Sequence, residues 1–162
     1  MKVGIYFGSS TGTTQDVAER IASAMGVDAA DVHDISSADA ASAANYDLLI
    51  LGSSTWGSGE LQDDWYDFKD ALKPYLAGKK VALFGTGDAG SYDDTFCDAV
   101  GDLYDEFQDA ACTFIGDTAT DGYDYSDSRA ERNGRFVGLV LDEVNESDKS
   151  DDRINAWVAT LK

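Results

Sequence analysis

The chain predicts an α/β fold, a parallel sheet buried under helices on both faces, and three observations carry that reading. Short apolar runs alternate with amphipathic stretches from one end to the other. The runs have the apolar character of strands covered on both faces. No linker or internal repeat divides the 162 residues, and the single proline is Pro74. One domain spanning 1–162 is expected, long enough to bury a full core without disulfides or metals, with 43% hydrophobic residues to fill it.

Val3–Phe7 opens the sheet, and Val17, Ile21 and Met25 follow at helical spacing. Val32–Ile35 reads as a weaker strand whose lone His33 is expected to be exposed and structural. Leu48–Leu51 and Val81–Phe84 are the next two strands, separated by the helical stripe Trp65, Phe68 and Leu72. Val100, Tyr104 and Phe107 mark a third helix, and Ile154, Trp157, Val158 and Leu161 the last. Trp65 and Trp157 read as packing residues of these stripes. Cys112–Ile115 begins a fifth strand, polar residues from Asp117 to Asn133 interrupt it, and Phe136–Leu141 resumes it. The last strand is therefore expected to be split by an insertion at about residues 117–135.

Charge is the compositional outlier: 31 Asp and Glu against 12 Lys and Arg give a net charge of -19. Nucleic acid and anionic membrane are poor partners for such a surface. Acids crowd Glu60 to Asp70 and Asp88 to Asp109, so a basic protein partner would be steered toward that end; a solubility device or a salt adaptation is the alternative use of such a surface. No signal peptide or membrane-length apolar run is present, and Cys97 and Cys112 stand far apart outside any C-x-x-C spacing. These features give the expectation of a cytoplasmic monomer with reduced thiols.

The run Phe7-Gly8-Ser9-Ser10-Thr11-Gly12-Thr13-Thr14 sits between the first strand and the first helix. A helix N-terminus offers unpaired N–H groups and the positive end of its dipole, and glycine lets backbone close around an oxyanion. Ser9, Ser10, Thr11, Thr13 and Thr14 add hydroxyl donors, with Gly12 among them. The lysine of a nucleotide-hydrolysing P-loop is absent, and no Lys or Arg lies between Phe7 and Thr14. A phosphate here would be held by N–H and O–H groups alone; a plain polar turn, which uses the same residue types, is the alternative.

In an open parallel sheet, ligands bind outside the carboxyl ends of the strands. After Leu51 come Gly52-Ser53-Ser54-Thr55-Trp56-Gly57-Ser58-Gly59-Glu60, where Trp56 has no apolar neighbours in sequence and is a candidate stacking platform. After Phe84 come Gly85-Thr86-Gly87-Asp88-Ala89-Gly90-Ser91-Tyr92. Its glycines match G-x-G-x-x-G, but on the fourth strand and not the first, so they read as backbone freedom for a loop presenting Asp88 and Tyr92. A phosphate clamp beside two aromatic loops suits a mononucleotide with a large flat ring.

These residues make the chain resemble the flavodoxins, nearly end to end, and within them the long-chain subgroup. Ser9 to Thr14 is similar to that family's phosphate loop, Ser54-Thr55-Trp56-Gly57 to its inner flavin loop, and Thr86-Gly87-Asp88 through Tyr92 to its outer one. Thr120-Asp121-Gly122-Tyr123-Asp124, Arg132-Asn133-Gly134 and Phe136-Val137-Gly138-Leu139 resemble the long-chain insertion, and Asp152-Arg153-Ile154 with Trp157-Val158 the last helix. Val144 stands where relatives often carry an acid, and Ser91 where they often carry Gly. The resemblance implies a doubly wound five-stranded sheet in the order 2-1-3-4-5, bound FMN, and low-potential one-electron transfer between redox enzymes. It implies FMN contacts from Ser9 to Thr14, from Ser54, Thr55, Trp56, Gly57 and Ser58, and from Thr86, Gly87, Asp88, Tyr92 and Asp94. It also implies a peptide flip at Gly57-Ser58 on reduction, an NADP-linked flavoprotein reductase as donor, and nitrogenase or another low-potential acceptor.

Like charges from Glu60, Asp63, Asp64, Asp88, Asp93 and Asp94 would oppose the anion of a fully reduced flavin and make it strongly reducing. No nucleophile, general base or metal triad accompanies the flavin loops, so a carrier is expected and not an enzyme. The competing class is an FMN-dependent NAD(P)H or quinone reductase of the same fold. A phosphoacceptor signalling domain of the same winding would need acids where Gly8-Ser9 and Gly52-Ser53 stand.

Overall fold

Side chains along each central strand divide between two separate cores. The computed structural model describes residues 1–56 and 59–161, Trp56 by its backbone alone. Strands β1 (Val3–Gly8), β2 (Val32–Asp34), β3 (Leu48–Trp56), β5 (Lys80–Thr86), β6 (Thr113–Ile115) and β10 (Leu139–Leu141) form the parallel sheet, and β4 (Glu60–Leu61) folds back antiparallel on the end of β3. Ile5, Phe7, Leu48, Ile50, Ala82 and Phe84 pack under α1 (Thr13–Met25) and α4 (Ser147–Leu161). Tyr6, Leu49, Leu51, Val81 and Leu83 pack under α2 (Trp65–Leu72) and α3 (Asp98–Glu106). Each fully buried Leu, Ile or Phe contributes about 1.5–3 kcal/mol, which is why runs apolar at every position make the centre of the sheet.

The order across the sheet is β2-β1-β3-β5, with the fifth place shared by β6 and β10. β6 pairs the first half of β5, Thr113 opposite Lys80, and β10 the second half, Leu139 opposite Phe84. The 2-1-3-4-5 winding and the split last strand are as expected. Gly138 marks the re-entry: a Cβ there would lie 2.2 Å from the Leu83 carbonyl oxygen.

Between the halves, β7 (Thr118–Ala119), β8 (Glu131–Arg132) and β9 (Arg135–Phe136) form a small antiparallel sheet in the order β7-β9-β8. Phe136 therefore does not resume the fifth strand; it pairs with Thr118 and Glu131 and is fully buried. Asn133 and Gly134, with φ of 57° and 79°, make the two-residue hairpin turn that requires left-handed backbone at both positions.

Two further expectations are corrected. β3 and β5 run on through residues read as loop, because Ser53 and Ser54 stay in register with Gly85 and Thr86. The glycines are there for close packing: a Cβ on Gly52 would fall 2.0 Å from the Phe84 ring, and one on Gly85 would fall 2.3 Å from Val100. His33 is half-buried and not exposed, its ring stacked on Tyr6 at 4.6 Å. Trp65 and Trp157 are buried packing residues, and each indole N–H also donates to a carbonyl, of Gly52 at 2.8 Å and of Gly116 at 2.7 Å. No described helix is long and apolar enough to cross a membrane.

Candidate functional site

The carboxyl ends of β1, β3, β5 and β10 open on one cavity of about 210 Å³. Thr11 and Thr13 line it from the β1–α1 loop, Ser54 and Thr55 from β3, Thr86, Gly87, Asp88, Tyr92 and Thr95 from the segment after β5, and Glu143 and Val144 from the segment after β10.

The β1–α1 loop is built as an anion cradle. Gly12, at φ 91°, precedes the helix, and its carbonyl accepts the Asp16 N–H at 3.0 Å. Its own N–H donates to Ser9 Oγ at 3.0 Å. The N–H groups of Thr13, Thr14 and Gln15 have no acceptor among the described residues, as the first turn of a helix leaves them. The hydroxyls are divided: Ser10 accepts from Gln62 Nε2 at 3.2 Å, buried Thr14 shares a hydrogen bond with Thr86 at 3.3 Å, and Thr11 and Thr13 face the cavity. Gly8 is needed behind the loop, since a Cβ would sit 2.4 Å from Gln62 Oε1.

The segment bearing Tyr92 is tied to the end of β10. Asp142, fully buried, accepts the Ala89 N–H at 3.1 Å and the Asn145 N–H at 2.9 Å. The Asn145 side chain donates to Asp88 at 2.8 Å, and Gly90 and Ser91 donate their N–H groups to the same oxygen. These donors, Asn145 foremost, hold the Asp88 carboxyl below its ordinary value. Tyr92 stands half exposed at the mouth, while Asp94 is exposed and outside the lining. Thr55 turns its hydroxyl to the Ala99 N–H in the first turn of α3, at 3.2 Å. Burial pushes the Cys97 thiol well up, so it stays protonated.

Two buried hydroxyls in the lining, Ser54 Oγ and Thr95 Oγ1, have no hydrogen-bond partner among the described residues. A buried unpaired hydroxyl costs about 1–3 kcal/mol, so a ligand with polar groups at these points fits better than an apolar one. Among the described residues, no lysine or arginine is in the lining.

The structure thus brings Thr11, Thr13, Ser54, Thr55, Thr86, Gly87, Asp88 and Tyr92 to one cavity, with Ser9, Ser10, Gly12 and Thr14 shaping the loop beneath. Gly57, Ser58 and the Trp56 side chain lie outside the described residues. Sequence reasoning did not single out Thr95, Glu143 or the scaffold of Gln62, Asp142 and Asn145. Applying the rule for carboxyl strand ends to the fifth strand would have found Glu143.

Residues 5–157 match the flavodoxin family model. The chain belongs to the flavodoxin family. Its sequence is 47% identical over 162 residues to a Nostoc flavodoxin, covering 99% of this chain and 95% of that one. Against flavodoxin 1 of Azotobacter vinelandii the identity is 43%, again with 99% and 95% covered. Among solved structures, this flavodoxin resembles that of Fusobacterium nucleatum bound to flavin mononucleotide, with a TM-score of 0.90, 30% identity, and 99% and 97% of the two chains covered. Its length fits the long-chain subgroup, and flavodoxins are electron-transfer proteins and not enzymes.

Proposed function

We propose that this flavodoxin holds one FMN in the cavity at the strand ends and passes single electrons between larger redox proteins. The observation that carries the reading is the convergence there of the first-turn N–H groups of α1 and two buried hydroxyls, none with a partner among the described residues, and an exposed tyrosine. When bound, the flavin supplies the one-electron chemistry.

The protein's part is to seat it. Ser9, Ser10, Thr11, Gly12, Thr13 and Thr14 hold the phosphate. Thr11 and Thr13 offer hydroxyls that among the described residues touch only each other, at 3.5 Å, while Ser9 and Thr14, whose hydroxyls are engaged elsewhere in the protein, contribute through the shape and N–H groups of the loop. Ser54, Thr55, Thr86, Gly87 and Asp88 give the floor and polar contacts. Trp56 with Gly57 and Ser58 on one side and Tyr92 on the other enclose the ring and exclude water, and Asp94, outside the lining, acts there only through its charge. The acids Glu60, Asp63, Asp64, Asp88, Asp93 and Asp94 disfavour added negative charge in the cavity, which favours giving an electron away. Residues 1–162 act as one domain with 117–135 as its insertion, in the cytoplasm, as a monomer. A basic NADP-linked flavoprotein reductase is the donor, and nitrogenase or another low-potential enzyme the acceptor.

The protein is expected to purify yellow with one FMN. Charge-assisted hydrogen bonds contribute about 1.5–3 kcal/mol each, so riboflavin, which lacks the phosphate, is expected to bind at least about 100-fold more weakly. Equal affinity for the two flavins at low ionic strength, measured by fluorescence quenching on the flavin-free chain, overturns the phosphate-loop assignment.

A further inference from the structure

No cation lies in the phosphate loop, yet a carboxylate, Glu143, lines the same cavity as Thr11 and Thr13. A bare carboxylate there would repel a bound phosphate dianion. Arg20 answers it. Arg20 sits about two turns along the helix that the loop begins, and its Nη1 lies 2.8 Å from Glu143 Oε1. The guanidinium also reaches Asp151 at 2.6 Å and Asp16 at 3.3 Å, joining α1 to α4.

The three carboxylates are not equal. Asp16 and Asp151 side chains are 64% and 78% exposed, so water and salt screen them, whereas Glu143 is 18% exposed and faces the cavity. The pairing that survives screening is therefore Arg20 with Glu143.

We propose that Arg20 is a positioning residue that sets the preference for a phosphorylated flavin, by neutralising Glu143 from behind the cavity wall. The proposal rests on the FMN reading above. Arg20 touches no ligand in this scheme; it removes a repulsion that only the phosphate feels. Riboflavin, without that charge, is indifferent to it.

The test is the ratio of riboflavin to FMN dissociation constants for the flavin-free full chain, at low ionic strength, in wild type, Arg20→Gln, Glu143→Gln and the double variant. With Glu143 left bare, repulsion across about 8 Å of largely aqueous medium is expected to weaken FMN about five- to tenfold in Arg20→Gln and leave riboflavin unchanged. The double variant is expected to regain the wild-type ratio, and Glu143→Gln alone, which leaves the Arg20 charge without Glu143 to offset it beside the cavity, to exceed it. Should variants carrying Arg20→Gln fold poorly, Glu143→Gln alone decides: a preference for FMN raised above wild type supports the proposal, and an unchanged one overturns it. Parallel weakening of both flavins in Arg20→Gln, an unchanged ratio, or a double variant no better than Arg20→Gln overturns the proposal while leaving the FMN reading intact. A wild type without preference for FMN overturns the reading itself and this proposal with it.

Discussion

His33, the only histidine in the chain, shows how one half-buried ring ties stability to pH. Its Nε2 lies 2.8 Å from the Tyr46 hydroxyl, which itself donates to Asp31 Oδ1 at 2.9 Å. Nε2 must then be the donor, and the neutral ring already carries its proton there. Charging the ring puts a second proton on Nδ1, which has no acceptor among the described residues. Burial accordingly holds the His33 pKa below its ordinary 6.5, against the opposing pull of Asp31. The flanking Tyr6 and Tyr46 phenols are both shifted up, so they stay neutral throughout. Because the unfolded chain binds the proton more readily, stability is full above 6.5 and falls as pH drops toward the lower folded value. Urea unfolding at about pH 7.5 and about pH 5 checks this: His33→Gln, which keeps a donor for Tyr46 but does not titrate, is expected to lose less stability between them than wild type. Equal losses would mean that the ring charges as freely in the fold as out of it.

At the scale of elements, the insertion is fastened to α3 where Gly101 lies. A Cβ at that position would fall 2.2 Å from the Arg129 carbonyl oxygen and 2.9 Å from the Ala130 nitrogen. Buried Asp98 accepts the Arg129 N–H at 2.7 Å, and the Arg129 side chain reaches Asp102 at 3.0 Å and the Gly59 carbonyl at 2.5 Å. Gly101→Ala forces helix and insertion apart, and a loss of about 1–3 kcal/mol in urea unfolding is expected, with faster amide exchange around Ala130 and Val137. A loss under about 0.5 kcal/mol, within the range of surface substitutions, would show that the contact yields freely. The insertion also marks what could be read in advance. Its position was legible because the polar run from Asp117 cuts an apolar strand. Its small sheet was not, since strands of two residues carry no periodicity, and Asn133-Gly134 was its one local signal. The strand ends at Gly52–Thr55 and Gly85–Thr86 were hidden for another reason: Gly and Ser are poor strand formers, and what keeps them extended is the Phe84 ring and Val100 packed on their glycines. The cavity loops stood out by composition, whereas Gln62 and Thr95 owe their places to tertiary packing.

Across the whole molecule, exposed acids lie at both ends of the strands, with Asp28 and Asp47 at the amino ends, but the exposed lysines without an acidic partner among the described residues gather only at the amino end. Near the carboxyl ends of the strands, Glu60, Asp63, Asp67 and Asp94 are exposed and have no cationic partner among the described residues. At the opposite end Lys2 and Lys80 are exposed and equally unpaired, while Lys79 caps the carbonyls of Ala44 and Tyr46. Most other cations are consumed in ion pairs such as Lys73–Asp109 and Arg132–Asp105. A net charge of -19 distributed in this way would attract a basic partner and turn the molecule so that the cavity mouth with half-exposed Tyr92 leads. The force acts over a Debye length of about 8 Å at physiological ionic strength and shrinks as salt rises. Stopped-flow reduction by a basic flavoprotein reductase is therefore expected to slow by about tenfold or more from low to high salt. At the lowest salt the rate is expected to pass through a maximum, because attraction strong enough to orient the encounter also holds misaligned ones. Replacing Glu60, Asp63 and Asp67 by their amides should flatten the profile without changing FMN content, since none of the three lines the cavity. A rate independent of salt in the unaltered protein would remove steering as the reason for the acidic end and leave solubility as its use.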